Sequence, residues 1–468
     1  MKVKLLLLIY SLIFSLGEVV FPFKTAYINL NGDINSNSRE YNSTHFMNDY
    51  FERLLYTNLQ IGNPSQDIKL LFTFDDCGFK IGNAKKCIDN NEYLSYYNRN
   101  KSTKFEYTDI YIYHLSEFDG NRGHSAADSM KVYKDLKLKK YENLEKVDFY
   151  LGSDTNNSLC GVVGFKLDRY YGYCSNISII NNFKSRNITD NYKWSLIYKS
   201  DEEGLLIFGS DMEKIISNYD ENNLFSINTR FLGGTYPWAF NIDEIIIGEN
   251  QGTIIDHEMW VELDNDLYFL VGSIFYEKSI NELFFEEFLD KDICSKHLWT
   301  SNKYNKKYYV IECNKENFGK EQISKFPSLT FINREKSIKI VFEPIELFTE
   351  TKYKYFFNVV FPYYGAGLWI FGKIFFKKYP VLFNVDQNII EIYNNYIKEE
   401  DSESDSKSNS FFHKAKTPLT IIFIIVLLVI TGIIFYFLGK NLNKIRKKKA
   451  NEMDDDYDYI NKNEINNS

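Results

Sequence analysis

The chain has 468 residues, 44% hydrophobic, 25% charged and 17% aromatic, with a formal net charge of −8. Its 36 Tyr and 39 Phe exclude wholesale disorder, and its 8 Pro and 6 Cys exclude collagen-like and disulfide-dense small scaffolds. The acidic balance leaves no footprint for nucleic-acid binding, which needs a basic face.

Met1–Gly17 places Lys2 and Lys4 ahead of an apolar run from Leu5 to Leu16, closed by Ser15 and Gly17. That order is a secretory signal peptide, too short to span a bilayer comfortably. From Glu18 to Ile397, short β-branched and aromatic runs alternate with Asn, Asp, Gly and Ser clusters, so the expected class is mainly β. Strands are expected at Asp67–Phe72, Gly204–Gly209, Trp238–Gly248 and Val381–Val385, with short helices at Ile280–Phe288 and Phe375–Tyr379. Lys398–Ser410, a run of Lys, Glu, Asp and Ser, cannot pack, and 398–417 reads as a stalk.

Pro418–Leu438 runs without a charge and is long enough to cross a hydrocarbon core. Lys440, Lys444, Arg446, Lys447, Lys448 and Lys449 follow it, against Lys407, Lys414 and Lys416 before it. The basic excess places the tail, 439–468, in the cytosol. That tail contains a Tyr-x-x-apolar sorting pattern, Tyr457 to Ile460, within an acidic run. The expected product is a single-pass type I membrane protein of the secretory pathway, endosomal system or cell surface, with its bulk lumenal or extracellular. Cys77, Cys87, Cys160, Cys174, Cys294 and Cys313 all precede the span, as an oxidising lumen would favour. Six Cys allow fifteen connectivities, of which the neighbour pairing 77–87, 160–174 and 294–313 is the simplest. Asn42, Asn100, Asn156, Asn176 and Asn187 each open a glycosylation sequon on the same side.

Several segments, taken in order, resemble the pepsin-like aspartic proteases. Ile61-Gly-Asn-Pro-Ser-Gln66 is similar to the family's Ile-Gly-Thr-Pro-Pro-Gln, and Cys160-Gly-Val-Val-Gly-Phe165 to its Asp-Gly-Ile-Leu-Gly-Leu. Trp194 to Tyr198 and Glu203 to Gly209 resemble the hairpin closing the first lobe. Trp238 to Gly248 looks like the strand pair before the second active-site loop, and Phe326-Pro-Ser-Leu-Thr-Phe331 like Leu-Pro-x-Ile-Thr-Phe. Trp369-Ile-Phe-Gly-Lys-Ile-Phe375 matches Trp-Ile-Leu-Gly-Asp-Val-Phe. The resemblance implies a bilobal fold, with lobes at 18–215 and 216–397 and a cleft between them. It also implies one catalytic Asp per lobe, on a loop supported by Val162-Val163-Gly164 or Ile370-Phe371-Gly372. Two carboxylates about 3 Å apart cannot both ionise, so one keeps a proton while the other activates water. In the family, Thr hydroxyls of the Asp-Thr-Gly triplets interlock beneath them.

The catalytic positions depart from that pattern. Counting without gaps from Ile61 places Thr73 at the first Asp, giving Thr73-Phe74-Asp75 in place of Asp-Thr-Gly. A two-residue slip would bring Asp75 into the role instead. In the second lobe Asp264 is retained, but Asn265 and Asp266 replace Thr and Gly. Asp266 is expected to strain the turn, and Asp75, Asp76 and Asp266 to act as turn formers. Tyr113 stands for the flap Tyr, followed by His114-Leu115 rather than a small Gly-rich tip.

The function expected is therefore a catalytically impaired or inactive pepsin-like protein that binds peptide or protein partners through the interlobe cleft. The alternative is an active aspartic endopeptidase using Asp264 with a slipped Asp75 in an acidic compartment. A third reading is an adhesion or structural ectodomain that does not use the cleft. No metal site is expected, since His45, His114, His124, His257, His297 and His413 lack ligand spacing. No cofactor and no nucleic-acid partner are expected either, and the chain is expected to be a monomer.

Overall fold

The computed structural model describes residues 18–27, 53–74, 78–82, 97–112, 123–135, 140–152, 161–165, 178–229, 238–248, 253–254, 259–301, 306–364 and 368–394. The expected signal peptide, stalk, span and tail lie outside the described residues, as do Asp75, Cys77, Cys87, Tyr113, Cys160 and Cys174. Among the described residues no helix is long and apolar enough to cross a membrane.

Strands dominate, as the β-branched and aromatic runs dictate. Up to residue 208 they are β1 (Val19–Tyr27), β2 (Arg53–Ile61), β3 (Gln66–Thr73), β4 (Phe79–Gly82), β5 (Glu106–Ile112), β6 (Gly123–Asp135), β7 (Lys140–Gly152), β8 (Gly161–Gly164), β9 (Lys193–Tyr198) and β10 (Glu203–Phe208). Then come β11 (Leu224–Asn228), β12 (Ala239–Ile242), β13 (Glu244–Ile247), β14 (Thr253–Ile254), β15 (Met259–Leu263), β16 (Leu270–Val271), β17 (Cys294–Thr300) and β18 (Lys307–Asn314). The remainder are β19 (Leu329–Asn333), β20 (Ile338–Phe342), β21 (Phe348–Glu350), β22 (Lys354–Phe357), β23 (Val359–Pro362), β24 (Leu368–Phe371), β25 (Val381–Asn384) and β26 (Ile389–Tyr393). The four expected strand segments coincide with β3, β10, the β12–β13 pair and β25. The helix expected at Ile280–Phe288 starts earlier, at Ile274, because the Ser273 hydroxyl caps it by accepting the Tyr276 N–H at 3.3 Å.

A 13-stranded sheet runs β11-β26-β25-β9-β10-β1-β2-β3-β8-β4-β7-β6-β5. It joins the chain's two halves, since β25, near residue 384, pairs with β9, near residue 194, with Phe383 opposite Trp194. A nine-stranded sheet contains β12, β15, β24, β16, β23, β17, β18, β22 and β21, and a four-stranded one is ordered β14-β13-β19-β20. Phe165, Trp194 and Phe383 stack at centroid spacings of 4.3 and 4.0 Å, with Trp238 4.7 Å from Phe383. The Trp238 indole N–H donates to the Phe165 carbonyl at 2.9 Å. Each such ring pair adds about 0.5–1.5 kcal/mol beyond its buried area. This column ties both halves to the joining sheet.

On the β17–β18 hairpin, Cys294 and Cys313 face each other in register and form a disulfide, one of the three pairings expected. His297 on β17 is held below the usual imidazole value, first by burial and then by the Lys354 ammonium, while the Glu312 carboxylate opposes the shift. Lys354 is bonded to Glu312. The unfolded chain therefore takes up the His297 proton first as pH falls. The stability conferred by neutral His297 is fully present above the unfolded value of about 6.5 and is lost as pH falls below it. His297→Gln is expected to lose less thermal stability than wild type between neutral and mildly acidic pH. Parallel melting curves for the two proteins would show that His297 carries none of the acid sensitivity.

Candidate functional site

The same strand arrangement occurs twice. In the first half, β8 runs parallel to β3, with Phe72 opposite Val163 and Thr73 opposite Gly164, and antiparallel to β4, with Phe79 opposite Val163. In the second, β24 runs parallel to β15, with Leu263 opposite Phe371, and antiparallel to β16, with Leu270 opposite the same residue. The order β3-β8-β4-β7 is repeated as β15-β24-β16-β23. The apolar-apolar-Gly segments thus thread between the two legs of each loop. As many residues separate Phe72 from Phe79 as separate Leu263 from Leu270, so the two loops have equal length. By this register Thr73 and Asp264 hold equivalent positions, each directly after the strand residue paired with the central apolar residue.

Backbone bonds fix both loops. In the first, the Gly164 N–H donates to the Gly78 carbonyl at 2.9 Å and the Phe165 N–H to the Thr73 carbonyl at 3.0 Å. In the second, the Asp264 N–H donates to the Phe371 carbonyl at 3.1 Å and the Lys373 N–H to the Leu267 carbonyl at 2.8 Å. Gly372 permits this contact, since a Cβ there would lie 2.2 Å from the Phe269 carbonyl oxygen.

Asp264, Asn265 and Asp266 are 6%, 1% and 2% exposed, so the loop centre is buried. The Asp264 carboxylate Oδ1 accepts the Asp266 N–H at 2.9 Å, closing its own turn. The Asp266 carboxylate instead crosses to the first loop, where Oδ2 accepts the Thr73 hydroxyl at 2.5 Å and the Phe74 N–H at 2.9 Å. Below them, the Tyr198 hydroxyl on β9 donates to Asn265 Oδ1 at 2.8 Å. Burial pushes the Tyr198 phenol well above its ordinary value, against the Asn265 bond and with help from the Asp266 charge. It stays protonated and serves as a donor.

Of the expected site residues, the structure brings Thr73 and Asp264 to equivalent loops, and places Gly164 at the end of β8 and Gly372 directly after β24. Asp75 and Tyr113 lie outside the described residues, although β5 and β6 pair antiparallel on either side of 113–122. The expectation that Asp266 strains its turn needs correction. Its φ is not among the positive ones, which belong to Asn187, Asn218, Asp292, Ser337 and Asn388, so no left-handed strain arises. It does lie in a turn, which the Leu267 N–H closes on the Asp264 carbonyl at 3.2 Å, while its carboxylate reaches the other loop. Phe74, read from the sequence only as a lost hydroxyl, and Lys373, not singled out there, are two further departures. Phe74 is buried against Phe165, Trp194, Phe376 and Phe383 where the family has an interlocking Thr. Lys373, 2% exposed, stands where the matched motif has Asp. The Lys373 departure was visible in the motif alignment itself, whereas the Phe74 cluster depends on residues far apart in sequence.

No curated protein matches the chain. A family model described as Eukaryotic aspartyl protease matches residues 55–394. That span takes in both strand-threaded loops and all of the joining sheet except β1 and the first residues of β2, and the chain belongs to the eukaryotic aspartyl protease family.

Proposed function

We propose that this family member is a membrane-anchored, monomeric protein that does not hydrolyse peptide bonds and binds peptides or protein partners in the cleft between its lobes, 18–215 and 216–397. The observation that carries this reading is Thr73, which occupies the position equivalent to Asp264 and faces Gly164 across the parallel strand pair. Activating water with an aspartate pair needs two carboxylates sharing one proton across the cleft. A threonine hydroxyl cannot ionise at any pH where the chain is folded, and here it is already donated to Asp266. The equal lengths of the two loops leave no spare residues for the slip that would substitute Asp75. Anchoring rests on the sequence: the signal-like Met1–Gly17, the uncharged Pro418–Leu438 and the basic cluster after it. The cysteines upstream of the span fit a lumenal or extracellular bulk.

The test is a cleavage assay on the purified full-length chain with a mixed peptide library across acidic pH, with and without a statine-type peptide inhibitor. No turnover is expected, and Asp264→Ala is expected to match wild type. Inhibitable turnover that vanishes in Asp264→Ala would establish the rival reading, an active endopeptidase. Peptides retained by the immobilised chain and displaced by the inhibitor would support binding through the cleft. Retention that the inhibitor does not affect would move binding elsewhere on the molecule.

A further inference from the structure

We infer that Thr73 and Asp266 are a compensating exchange across the two lobes, in which Asp266 is the positioning residue that ties the first loop to the second. The inference rests on the reading of Thr73 given above. The matched family pattern has Asp at the position of Thr73 and Gly at that of Asp266, so one carboxylate has in effect moved between loops. Two observations and one electrostatic argument link the two departures.

The Asp266 carboxylate reaches a hydroxyl 193 residues away and a second donor beside it, the Phe74 amide, both on the same oxygen. Both bonds leave its own loop, whereas the Asp264 carboxylate bonds within it. Asp266 is 2% exposed, and a carboxylate buried that far is tolerated only when its oxygens are bonded. Finally, an Asp at position 73 would set a second carboxylate against Asp266, turning a donor–acceptor contact into a like-charge one. Threonine at 73 therefore suits a carboxylate at 266, and each departure is unfavourable without the other.

The contact also takes over a mechanical task. The interlocking hydroxyls implied by the family pattern are absent, because Phe74 and Asn265 occupy their positions. The Asp266 bonds to Thr73 and Phe74 link the floor of one loop to the other in their place. Hydrogen bonds to an ionised group are about twice as strong as neutral ones, so one carboxylate with two donors suffices for a rigid link. Asp266 thereby sets the spacing between the loops for whatever the cleft binds.

The experiment is a set of thermal unfolding curves on the full-length chain carrying Thr73→Ser, Thr73→Val, Thr73→Asp, Asp266→Gly and the double variant Thr73→Asp/Asp266→Gly. Thr73→Ser, which keeps the hydroxyl, is expected to melt with wild type. Thr73→Val and Asp266→Gly should each fall by a few degrees. Thr73→Asp should fall furthest, and adding Asp266→Gly should recover much of that loss. A double variant no more stable than Thr73→Asp, or Thr73→Val melting with wild type, overturns the exchange. Should Thr73→Asp fail to fold, the cycle Thr73→Val with Asp266→Ala decides the same point, with additive losses overturning it. These melting curves are independent of the cleavage assay. Turnover by wild type would sink the proposed function and leave the exchange standing, whereas additive midpoints would do the reverse.

Discussion

Gly372→Ala is expected to cost at least about 3 kcal/mol, among the largest losses available from a single methyl group. The Cβ would lie 2.2 Å from the Phe269 carbonyl oxygen and 2.6 Å from that of Leu267, and both are backbone atoms. Backbone cannot swing aside as a flexible side chain can. Here it is also pinned, because the Lys373 N–H donates to Leu267 at 2.8 Å and the Ile374 N–H to Tyr268 at 3.2 Å. The requirement is one of space rather than conformation, since Gly372 has an ordinary φ of −88°. Relief would push the 264–270 loop outward and carry Asp264 and Asp266 with it. Chemical unfolding of the variant beside wild type measures the effect, and a midpoint indistinguishable from wild type would mean that the two strands can separate freely.

Phe74→Thr, which restores the family residue at that position, is expected to destabilise by about 3–5 kcal/mol and to confer no proteolysis. The Phe74 ring is 3% exposed and lies 5.5 to 6.1 Å from the ring centres of Phe376, Trp194, Phe383 and Phe165. Those four come from the helix Lys373–Lys378, β9, β25 and the residue following β8, so the ring bridges both lobes and the joining sheet. A threonine would leave a cavity and place a hydroxyl among aromatic rings. Unfolding free energy decides between this outcome and a simple reversion. If the variant is as stable as wild type, Phe74 contributes nothing to holding the lobes together.

Much of the framework could be read locally. Asp67–Phe72, Gly204–Gly209 and Val381–Val385 fall on β3, β10 and β25 because strand-forming runs bounded by turn residues are set by neighbouring positions. Trp238–Gly248, which resembles the family's strand pair, resolves into β12 and β13 on either side of Asp243. The start of the helix at Ile274 depends on a single cap, Ser273, which apolar periodicity alone passes over. The disulfide Cys294–Cys313 was one choice among fifteen until β17 and β18 set the two residues opposite each other.

By itself the sequence determined the family, through ordered motifs from Ile61 to Asn384, and the departure at Thr73, through an ungapped count. It also supplied the grounds for proposing an anchored protein, since a signal and a span are properties of contiguous composition. Only the tertiary structure decided what the substitutions do together. Thr73 and Asp266 read separately as a lost acid and a strained turn, yet they meet as donor and acceptor across 193 residues. Phe74 reads as a lost hydroxyl, yet it completes an aromatic column built from four other elements. The reason is physical. Strands and apolar spans are set by interactions between near neighbours, whereas a buried carboxylate or ring takes its meaning from partners that only the folded chain brings within a few ångströms.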